Sequence, residues 1–421
     1  MRLAIDGGPP VWTSAWPEWP KAQRNLITDI TETLESGRWA VSGQWTGAEP
    51  VDLRLGRKFA EYCGAKYGLP VDHGSSALMI SLLSTGVRPG DEVILPGLSW
   101  VATASAIARI GAIPVLADVE QENLCISSSA VVQAITDRTR AVVVVHLYST
   151  MADMDALEEI CQRHNILLIE DCAQAYGARW NDRPAGSIGI AGAFSTQQGK
   201  ALTSGEGGLF VTSSDEVYKR AEMYRGDGRA YPSDPPAVGY PALSEHDEVQ
   251  GWNMHLSEIQ ATILLNGLSN LEEMDNKRRA AASFLDGELR TRLSEFFQPV
   301  IPYPQNRVRG YYHYVIKLRQ SAWSGIDIEA VCKALSAELG MQSHATYIPL
   351  NQNPLLDPQR LWGNHDQWDL SRFELPNSES VRNSSILLHH SVLLADDDAL
   401  NSIIVALHKI AVCQDRLREC A

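Results

Sequence analysis

"AVVVVHLYSTMADMDALEEICQRHNILLIED", residues 141–171, contains two short apolar runs on either side of a helical pattern. The runs at 141–147 and 167–171 have the length of strands, and the pattern at 153–165 ends on an asparagine, a residue common at helix C-termini. Continuous apolar runs are typical of strands buried on both faces of a parallel sheet. The stretch therefore predicts a strand–helix–strand unit of an α/β protein.

The same alternation extends in both directions along the chain. Further strand-like runs are "YGLPV" (67–71), "EVILP" (92–96), "PVLADV" (114–119) and "GLFVT" (208–212). The helical patterns "SSALMISLLSTG" and "SWVATASAIARIG" between them end in glycine. We expect a mainly parallel central sheet with helices on both faces.

The pattern changes after Leu256, where a long amphipathic helix begins. It is followed by a predicted strand at 311–318, a helix at 327–339, a long loop at 351–380, the run "SILLHHSVLL" (385–394) and a final helix from about 396. We therefore predict a large α/β domain at 1–260, including the tryptophan-rich N-terminal segment, and a smaller α+β domain at 261–421.

Composition limits the classes of function. The net charge of −15 and the pI of about 5.2 argue against a nucleic-acid or membrane surface. Seven cysteines without a C-x-x-C pair predict reduced thiols rather than disulfides or a zinc site. The N-terminal residues "MRLAIDGGPPVWTSAWPEWP" do not resemble a signal peptide, and no run approaches the roughly 20 apolar residues of a membrane span. A cytoplasmic location is expected.

Chemically informative residues follow the predicted strands, where α/β sheets bind their ligands. Gly74, Ser75 and Ser76 open a helix after the first strand, which suits either a phosphate site or an ordinary helix cap. Asp171 ends a buried strand and needs a cationic partner. Lys200 lies in the charge-poor stretch "FSTQQGKALTSGEGG" (194–208).

Together these residues are the parts that bind pyridoxal 5'-phosphate (PLP): an amine for a Schiff base, an acid for the ring nitrogen and a helix N-terminus for the phosphate. Trp100, at a helix start, either packs or presents its face to a flat ring. "GEGG" (205–208) is either a tight turn or a substrate contact.

Several motifs resemble the DegT/DnrJ/EryC1/StrS family of PLP-dependent sugar aminotransferases of fold type I. They are "HGSSAL" (73–78), "IEDCAQAYGA" (169–178), "FSTQQGK" (194–200), "TSGEGG" (203–208) and "NMHLSEIQA" (253–261). Within that family the chain is most similar to the L-glutamine:2-deoxy-scyllo-inosose and scyllo-inosose aminotransferases of aminocyclitol antibiotic pathways. That closer match rests on "WPEWP" (16–20), "GRWAVSGQWTG" (37–47), "FSTQQGKALTSGEGG" (194–208) and "SILLHHSVLLA" (385–395).

The resemblance implies a role for each matching residue. Lys200 would form the Schiff base with PLP and move the proton during transamination, and Asp171 would pair with the pyridine nitrogen. The remaining cofactor contacts would be Gln174 near the ring 3-oxygen, Trp100 on the ring face, and Gly74, Ser75, Ser76 and Ser195 on the phosphate. Asn253 would reach the phosphate of the neighbouring subunit, which implies a homodimer with shared active sites.

The resemblance also implies the reaction, in which L-glutamine donates an amino group to a keto-cyclitol. Two alternatives stay open: amination of a nucleotide-linked keto-sugar, and a PLP-binding regulatory protein without turnover. Candidate substrate contacts are Trp39, Trp45, Tyr347, His389 and Arg225. The tryptophans, with Trp16 and Trp19, suit either an aromatic wall over a polyhydroxylated ring or a dimer interface.

The pair His389–His390 could indicate a metal site, but adjacent side chains on a strand point to opposite faces. We therefore predict no metal site. Arg225 and Arg229 either bind the donor's carboxylate or are simply solvated, and His73 receives no role.

Overall fold

The computed structural model describes residues 2–23, 25–357 and 368–418. Its central element is a sheet of seven strands in the order β1-β9-β8-β5-β4-β2-β3. These strands are β1 (Tyr67–Val71), β2 (Glu92–Pro96), β3 (Ile113–Ala117), β4 (Thr139–Val145), β5 (Leu167–Asp171), β8 (Ala191–Ser195) and β9 (Gly208–Thr212). The fold is therefore α/β, as the alternating sequence pattern predicts.

Only β9 runs against the other six strands, because it pairs antiparallel with both β1 and β8. The remaining pairs, β8–β5, β5–β4, β4–β2 and β2–β3, are all parallel. The carboxyl ends of six strands consequently meet at one edge of the sheet, and the sequence motifs that follow β1, β2, β5 and β8 meet there with them.

The helices on the large sheet cover both of its faces. They are α1 (Leu26–Glu35), α2 (Val51–Cys63), α3 (Gly74–Ser84), α4 (Ala102–Arg109), α5 (Ser128–Ala134), α6 (Met154–His164) and α7 (Asp215–Arg225). In β4, Val142 and Val144 pack into the core formed with α2 and α6, whereas Ala141 and Val143 pack into the core formed with α3 and α4. This two-sided burial is the reason that the strands are continuously apolar.

A long helix, α8 (Glu258–Thr291), leads to a second, four-stranded antiparallel sheet. The sheet has the order β12 (Phe297–Pro299), β13 (His313–Leu318), β15 (Ser385–His389) and β14 (His344–Ala345). The helices in this part are α9 (Gln320–Trp323), α10 (Ile328–Leu339), α11 (Pro376–Arg382), α12 (Asp397–Val412) and α13 (Gln414–Arg418). Two-stranded ladders complete the secondary structure: β6 (Arg179–Trp180) with β7 (Arg183–Pro184), and β10 (Arg229–Ala230) with β11 (Ser244–Glu245).

The N-terminal segment packs on the core of this second sheet. Leu3 belongs to that core, and the Trp16 Nε1–H donates to the Leu339 carbonyl at 2.7 Å. In the sequence-based division the same segment belongs to the large domain. The boundary near residue 260 stays a prediction.

The predicted loop at 351–380 contains one helix that the sequence analysis missed, α11. Its first turn is capped from a distance, because the Asp118 carboxylate accepts the N–H groups of Asn377 (2.8 Å) and Ser378 (2.9 Å). A cap so far away in sequence leaves no local signal. Residues 358–367 of the predicted loop lie outside the described residues.

Two sequence-based expectations concern the state of the cysteines and membrane-spanning segments. Cys63, Cys125, Cys161, Cys172 and Cys332 are buried free thiols, while Cys420 lies outside the described residues. In the described part of the chain, none of the helices combines the length and the apolar character that crossing a membrane requires.

Candidate active site

A cavity of about 620 Å³ opens at the carboxyl edge of the large sheet. The described residues that line it include most of the predicted site: Gly74, Ser75, Trp100, Asp171, Gln174, Ser195, Lys200 and Tyr347. All of them except Tyr347, which follows β14 of the second sheet, come from the ends of β1, β2, β5 and β8. The topology of the large sheet therefore brings together residues spread over much of the chain.

Asp171 is the last residue of β5 and is only 5 % exposed. Its Oδ2 accepts a hydrogen bond from the Thr103 hydroxyl at 2.8 Å, and its Oδ1 accepts one from the Ala173 N–H at 3.1 Å. Burial raises the pKa of this carboxyl, while the two hydrogen bonds and the nearby Lys200 oppose that shift. The hydrogen bonds also fix the orientation of the carboxylate in the cavity.

Lys200 lies in the loop between β8 and β9 and is 9 % exposed. Its Nζ is 3.9 Å from the centre of the Tyr312 ring. Burial lowers the pKa of the amine to about 8, although attraction to Asp171 opposes the decrease. A substantial fraction of Lys200 is therefore neutral and nucleophilic near neutral pH.

The lowered pKa predicts a measurable pH profile for Lys200 in the cofactor-free protein. Since only the neutral amine reacts, trace labelling of Lys200 with acetic anhydride should accelerate about tenfold per pH unit up to pH about 8 and then level off. Peptide mass spectrometry measures the labelling at each residue.

Lys66 is a suitable internal control for this profile. It is exposed, and the hydrogen bond to Asp215 raises its pKa, so its labelling should still be rising at pH 10. Parallel profiles for Lys200 and Lys66 would contradict the proposed environment of Lys200.

Gln174 and Tyr347 form one wall of the cavity. The Gln174 Oε1 accepts from the Tyr148 N–H at 2.9 Å, and its Nε2 donates to the Tyr347 hydroxyl at 3.2 Å. The Trp100 ring lies 5.6 Å from the Tyr347 ring and is 52 % exposed. The exposed Trp100 ring therefore offers an aromatic surface to a flat ligand.

The N-terminus of α3 lies directly against the end of β8. A Cβ on Gly74 would lie only 2.6 Å from the Ser195 Cβ, so no larger residue fits there without a shift. Gly74, Ser75 and Ser195 all line the cavity. Two hydroxyls and the N–H groups of a helix N-terminus together make a suitable anion site.

Gly74→Ala should weaken PLP binding. An overpacked contact costs about 1–3 kcal/mol, which corresponds to roughly 5- to 150-fold in the dissociation constant. Titration of the cofactor-free protein with PLP measures the change. Gly287→Ala is the matched control, because a Cβ at Gly287 in α8 meets nothing within 4 Å; equal PLP affinity in both variants would contradict the anion site.

Two other predicted cofactor residues lie outside the lining of this cavity. Ser76 is buried in the first turn of α3, and Asn253 is exposed beside Gly226. An exposed Asn253 is compatible with the predicted contact to a neighbouring subunit, which stays a prediction.

Trp39 and Trp45 also lie outside the cavity lining of their own chain. Trp39 is 55 % exposed, and the Trp45 backbone N–H donates to the Tyr240 carbonyl at 2.7 Å. Neither indole belongs to an aromatic wall over this cavity. A substrate contact from these residues would require a neighbouring subunit.

The structure corrects the prediction for Arg225. Its side chain is 1 % exposed, forms a 3.1 Å ion pair with Asp52 and donates to the Pro70 carbonyl. Because Asp52 is fully buried and already neutralises it, Arg225 is not available to a substrate carboxylate. Arg229 pairs with Asp227 at 3.3 Å instead.

The structure also corrects the geometry predicted for His389 and His390. The strand β15 ends at His389 and a 3₁₀ helix (His390–Leu394) begins at once, so the two rings lie only 4.2 Å apart instead of on opposite faces. Both Nε2 atoms approach the Gly199 carbonyl, and His389 does not line the cavity. His389 therefore does not contact a substrate there.

Several residues that line the cavity were missed by the sequence analysis. They are Ser99, Thr103, Gln197, Tyr312, His313 and His344. Thr103 follows Trp100 by three residues in "SWVAT", the spacing of one helical turn, and this signal could have identified it. Tyr312, His313 and His344 come from the second sheet, whose position over the first has no local signal.

His73 and Glu206 lie at the rim of the cavity. The His73 Nε2 is 3.8 Å from the Glu206 carboxylate, and its Nδ1 is 3.5 Å from that of Asp72. In the stretch "GEGG", Gly205 and Gly207 have φ values of +86° and +148°, so a turn places Glu206 at the rim.

A buried cluster beneath the site contains a carboxylate whose two oxygens are both occupied by hydrogen bonds. His146, Glu170 and Cys172 have ligand atoms within 4.8 Å of one another. However, the Glu170 Oε1 accepts the N–H groups of Ile188 and Gly189, and its Oε2 accepts from Gly186 and His146. Both oxygens are fully used, so this carboxylate anchors the chain between β7 and β8 to the sheet.

Residues 22–407 match the model of the DegT/DnrJ/EryC1/StrS aminotransferase family. The chain belongs to this family. It is 43 % identical to the L-glutamine:2-deoxy-scyllo-inosose aminotransferase of Streptoalloteichus tenebrarius, and the alignment covers 99 % of both chains. It is 41 % identical to the L-glutamine:scyllo-inosose aminotransferase of Streptomyces griseus, with 99 % of this chain and 98 % of the relative covered.

Solved structures agree with the fold. The crystal structure of 3-amino-5-hydroxybenzoic acid synthase superposes with a TM-score of 0.81 at 28 % identity, and covers 95 % of this chain and 99 % of its own. The aminotransferase from Psychrobacter cryohalolentis has a TM-score of 0.83 at 23 % identity, with the same coverage. The protein is thus a PLP-dependent aminotransferase of fold type I.

The residues of the cavity fit this cofactor. The glycine at position 74 leaves room that a Cβ would fill, and a helix N-terminus and two serines suit a phosphate. A buried carboxylate at Asp171 suits a protonated ring nitrogen, and a buried amine with a lowered pKa suits a Schiff base. Trp100 offers a flat exposed surface beside them.

Proposed function

We propose that this aminotransferase moves the amino group of L-glutamine to a keto-cyclitol of the 2-deoxy-scyllo-inosose or scyllo-inosose type, in the biosynthesis of an aminocyclitol antibiotic. The observation that carries the proposal is the match along nearly the whole chain to relatives named for these reactions. Identities of 43 %, 41 % and 41 % extend over at least 99 % of this chain for the relatives of Streptoalloteichus tenebrarius, Micromonospora echinospora and Streptomyces griseus.

The proposed chemistry uses few residues of the chain. When bound, PLP supplies an electrophilic carbon and a ring that accepts electrons. Lys200 takes the proton from the α-carbon of the donor, because its pKa of about 8 makes the neutral amine accessible near neutral pH. Asp171, fixed by Thr103 and the Ala173 N–H, holds a proton on the ring nitrogen. In sum, the donor leaves as a 2-oxo acid and the ketone leaves as an amine.

The charged residues of the cavity lining support a keto-cyclitol, rather than a nucleotide-linked keto-sugar, as the amino acceptor. Among the described residues that line the cavity, Lys200 is the only lysine or arginine. A diphosphate would need further cationic partners. Polar side chains at the cavity wall, such as Glu206, His344 and Tyr347, suit the hydroxyl groups of a polyhydroxylated ring instead.

The proposal includes a cytoplasmic homodimer with shared active sites. Asn253 is exposed and lies outside the cavity of its own chain, which leaves it available to a second copy. Trp39, Trp252 and Tyr240 are large apolar side chains that are 43–64 % exposed, as expected for residues that a partner chain covers. The net charge of −15 supports a protein without nucleic-acid or membrane partners.

The test separates the two half-reactions. The visible absorption of the PLP-loaded protein is recorded, L-glutamine is added, and 2-deoxy-scyllo-inosose or scyllo-inosose follows. We expect L-glutamine to bleach the band and the keto-cyclitol to restore it, with the amino-cyclitol identified by mass spectrometry. Restoration only by a nucleotide-linked keto-sugar would overturn the acceptor, and a band that L-glutamine leaves unchanged would overturn the donor.

A further inference from the structure

Three side-chain ring N–H groups contact two consecutive backbone carbonyls, those of Gly199 and Lys200. The Nε2 atoms of His389 and His390 lie 3.1 and 3.2 Å from the Gly199 carbonyl oxygen. The Trp19 Nε1–H donates to the Lys200 carbonyl at 3.1 Å. Two consecutive carbonyls of the lysine loop are thus held by segments that are more than 180 residues away in sequence.

The tautomers of the two histidines follow from their neighbours. The Ser391 N–H, which can only donate, points at the His389 Nδ1 at 3.3 Å, so Nδ1 accepts and Nε2 carries the hydrogen. The His390 Nε2 faces the same carbonyl, which can only accept, so it also carries the hydrogen. A carbonyl oxygen has two lone pairs, and the two histidines occupy both.

The surroundings keep these rings neutral and in place. Burial lowers the pKa of His389 and His390, and the Arg278 guanidinium adds to the effect. The Trp19 ring meets the His390 ring edge-on at 4.7 Å, and the Arg278 guanidinium lies 5.2 Å from the centre of the indole ring. Arg278 is held in turn by Asp275 at 2.7 Å.

The end of β15 also holds the Tyr312 ring next to the Lys200 amine. The His390 backbone N–H donates to the Tyr312 carbonyl at 3.3 Å, and the Tyr312 ring lies 3.9 Å from the Lys200 Nζ. Movement of residues 389 and 390 would therefore displace both the backbone of the lysine loop and the aromatic surface against its amine.

We propose that His389, His390 and Trp19 are positioning residues that hold the carbonyls of Gly199 and Lys200 and so direct the Lys200 amine into the cavity. We name these three residues the carbonyl clamp. The clamp acts through the backbone, and none of its members contacts the reacting atoms. The inference rests on the proposed role of Lys200 as the reactive amine, but it does not depend on the identity of the amino acceptor.

The first experiment replaces each donor ring with a phenyl ring, which has no N–H group. His389→Phe, His390→Phe and Trp19→Phe each delete one N–H group, whereas His389→Gln keeps an amide N–H that can reach the same carbonyl. We expect each Phe variant to lower kcat roughly 10- to 100-fold, since a displacement of about 1 Å can reduce a rate that much. KM for the donor should change less than threefold, and His389→Gln should recover most of the rate.

Two further readouts do not depend on turnover. In the cofactor-free protein, the pH profile of Lys200 acetylation should shift in the Phe variants, because a displaced amine is no longer buried to the same extent. In the PLP-loaded protein, the position of the visible band should shift as well. His408→Gln, on the exposed side of α12, is the matched control and should leave all readouts unchanged.

The outcomes separate the possibilities. Folded Phe variants with the parent band position, acetylation profile and kcat would overturn the clamp, and so would a His389→Gln variant no better than His389→Phe. If a histidine variant does not fold, Trp19→Phe still decides, because Trp19 is only partly buried and the phenyl ring is smaller than the indole that it replaces. Failure of the proposed acceptor reaction would leave the acetylation and absorption results intact.

Discussion

Lys200→Ala should lose roughly 10⁴-fold or more in the rate of transamination, because the variant lacks the base that moves the α-proton of the donor. The fold should persist. The substitution deletes an amine whose pKa burial lowers to about 8, and it leaves the backbone contacts of the loop in place. The measurement is the rate of 2-oxo acid formation from L-glutamine under single-turnover conditions.

Lys66→Ala is the matched control for Lys200→Ala, since Lys66 is exposed and remote from the cavity. Added methylamine should partly restore the rate of Lys200→Ala, because a small amine fits the space left by the side chain. A rate within tenfold of the parent would contradict the role of Lys200. Inactivity of both the parent and the variant, with PLP still bound, would instead favour the regulatory protein without turnover.

Asp171→Asn should lower kcat about 10²- to 10³-fold, the loss typical of removing one preorganised electrostatic partner. The change preserves shape and leaves an oxygen to accept from the Ala173 N–H. It removes the negative charge that would hold a proton on the ring nitrogen of PLP. Steady-state kinetics with L-glutamine, together with PLP titration, measure the two effects separately.

Thr103→Val provides a graded comparison for Asp171→Asn. It removes the 2.8 Å hydrogen bond to Asp171 but leaves the charge, so its effect on kcat should be smaller, about tenfold. Asp215→Asn, at an exposed ion pair with Lys66, is the surface control. Thr103→Val as damaging as Asp171→Asn would show that orientation rather than charge is decisive.

The large sheet was predictable because its signal is local. The runs that form β1, β2, β4 and β5 are continuously apolar, since both faces of each strand are buried. The strand β8 was missed because "AGAFS" consists mainly of small residues. Gly192 explains part of this composition, since a Cβ there would lie 2.5 Å from the Gly186 Cα.

Much of the cavity was also predictable, because its residues follow the strands at fixed positions. Asp171 ends β5 and Gly74 opens α3 after β1, whereas Lys200, which follows the missed strand β8, was identified from the motif "FSTQQGK" (194–200). A parallel sheet places all these positions at one edge, so the order of motifs along the chain is sufficient to group them.

The environment of each charged residue was not predictable in this way. The sequence suggested that Arg225 could bind a substrate carboxylate, yet Arg225 is buried against Asp52, which is 173 residues away. Likewise, the sequence predicted that the side chains of His389 and His390 point to opposite faces of one strand. The strand instead ends between them, and both rings contact the Gly199 carbonyl.

Local patterns thus determined the alternation of strands and helices, the choice of Lys200 and Asp171 and the assignment to the aminotransferase family, because buried strands, helix ends and motifs are visible in neighbouring residues. The order of the strands in the sheet came only from the tertiary structure. Only the tertiary structure decided which side chains from the second sheet face Lys200 and which cations are already neutralised. These properties depend on contacts between residues far apart in sequence. The sequence of one segment does not show which distant residue it will contact, or whether that contact neutralises a charge.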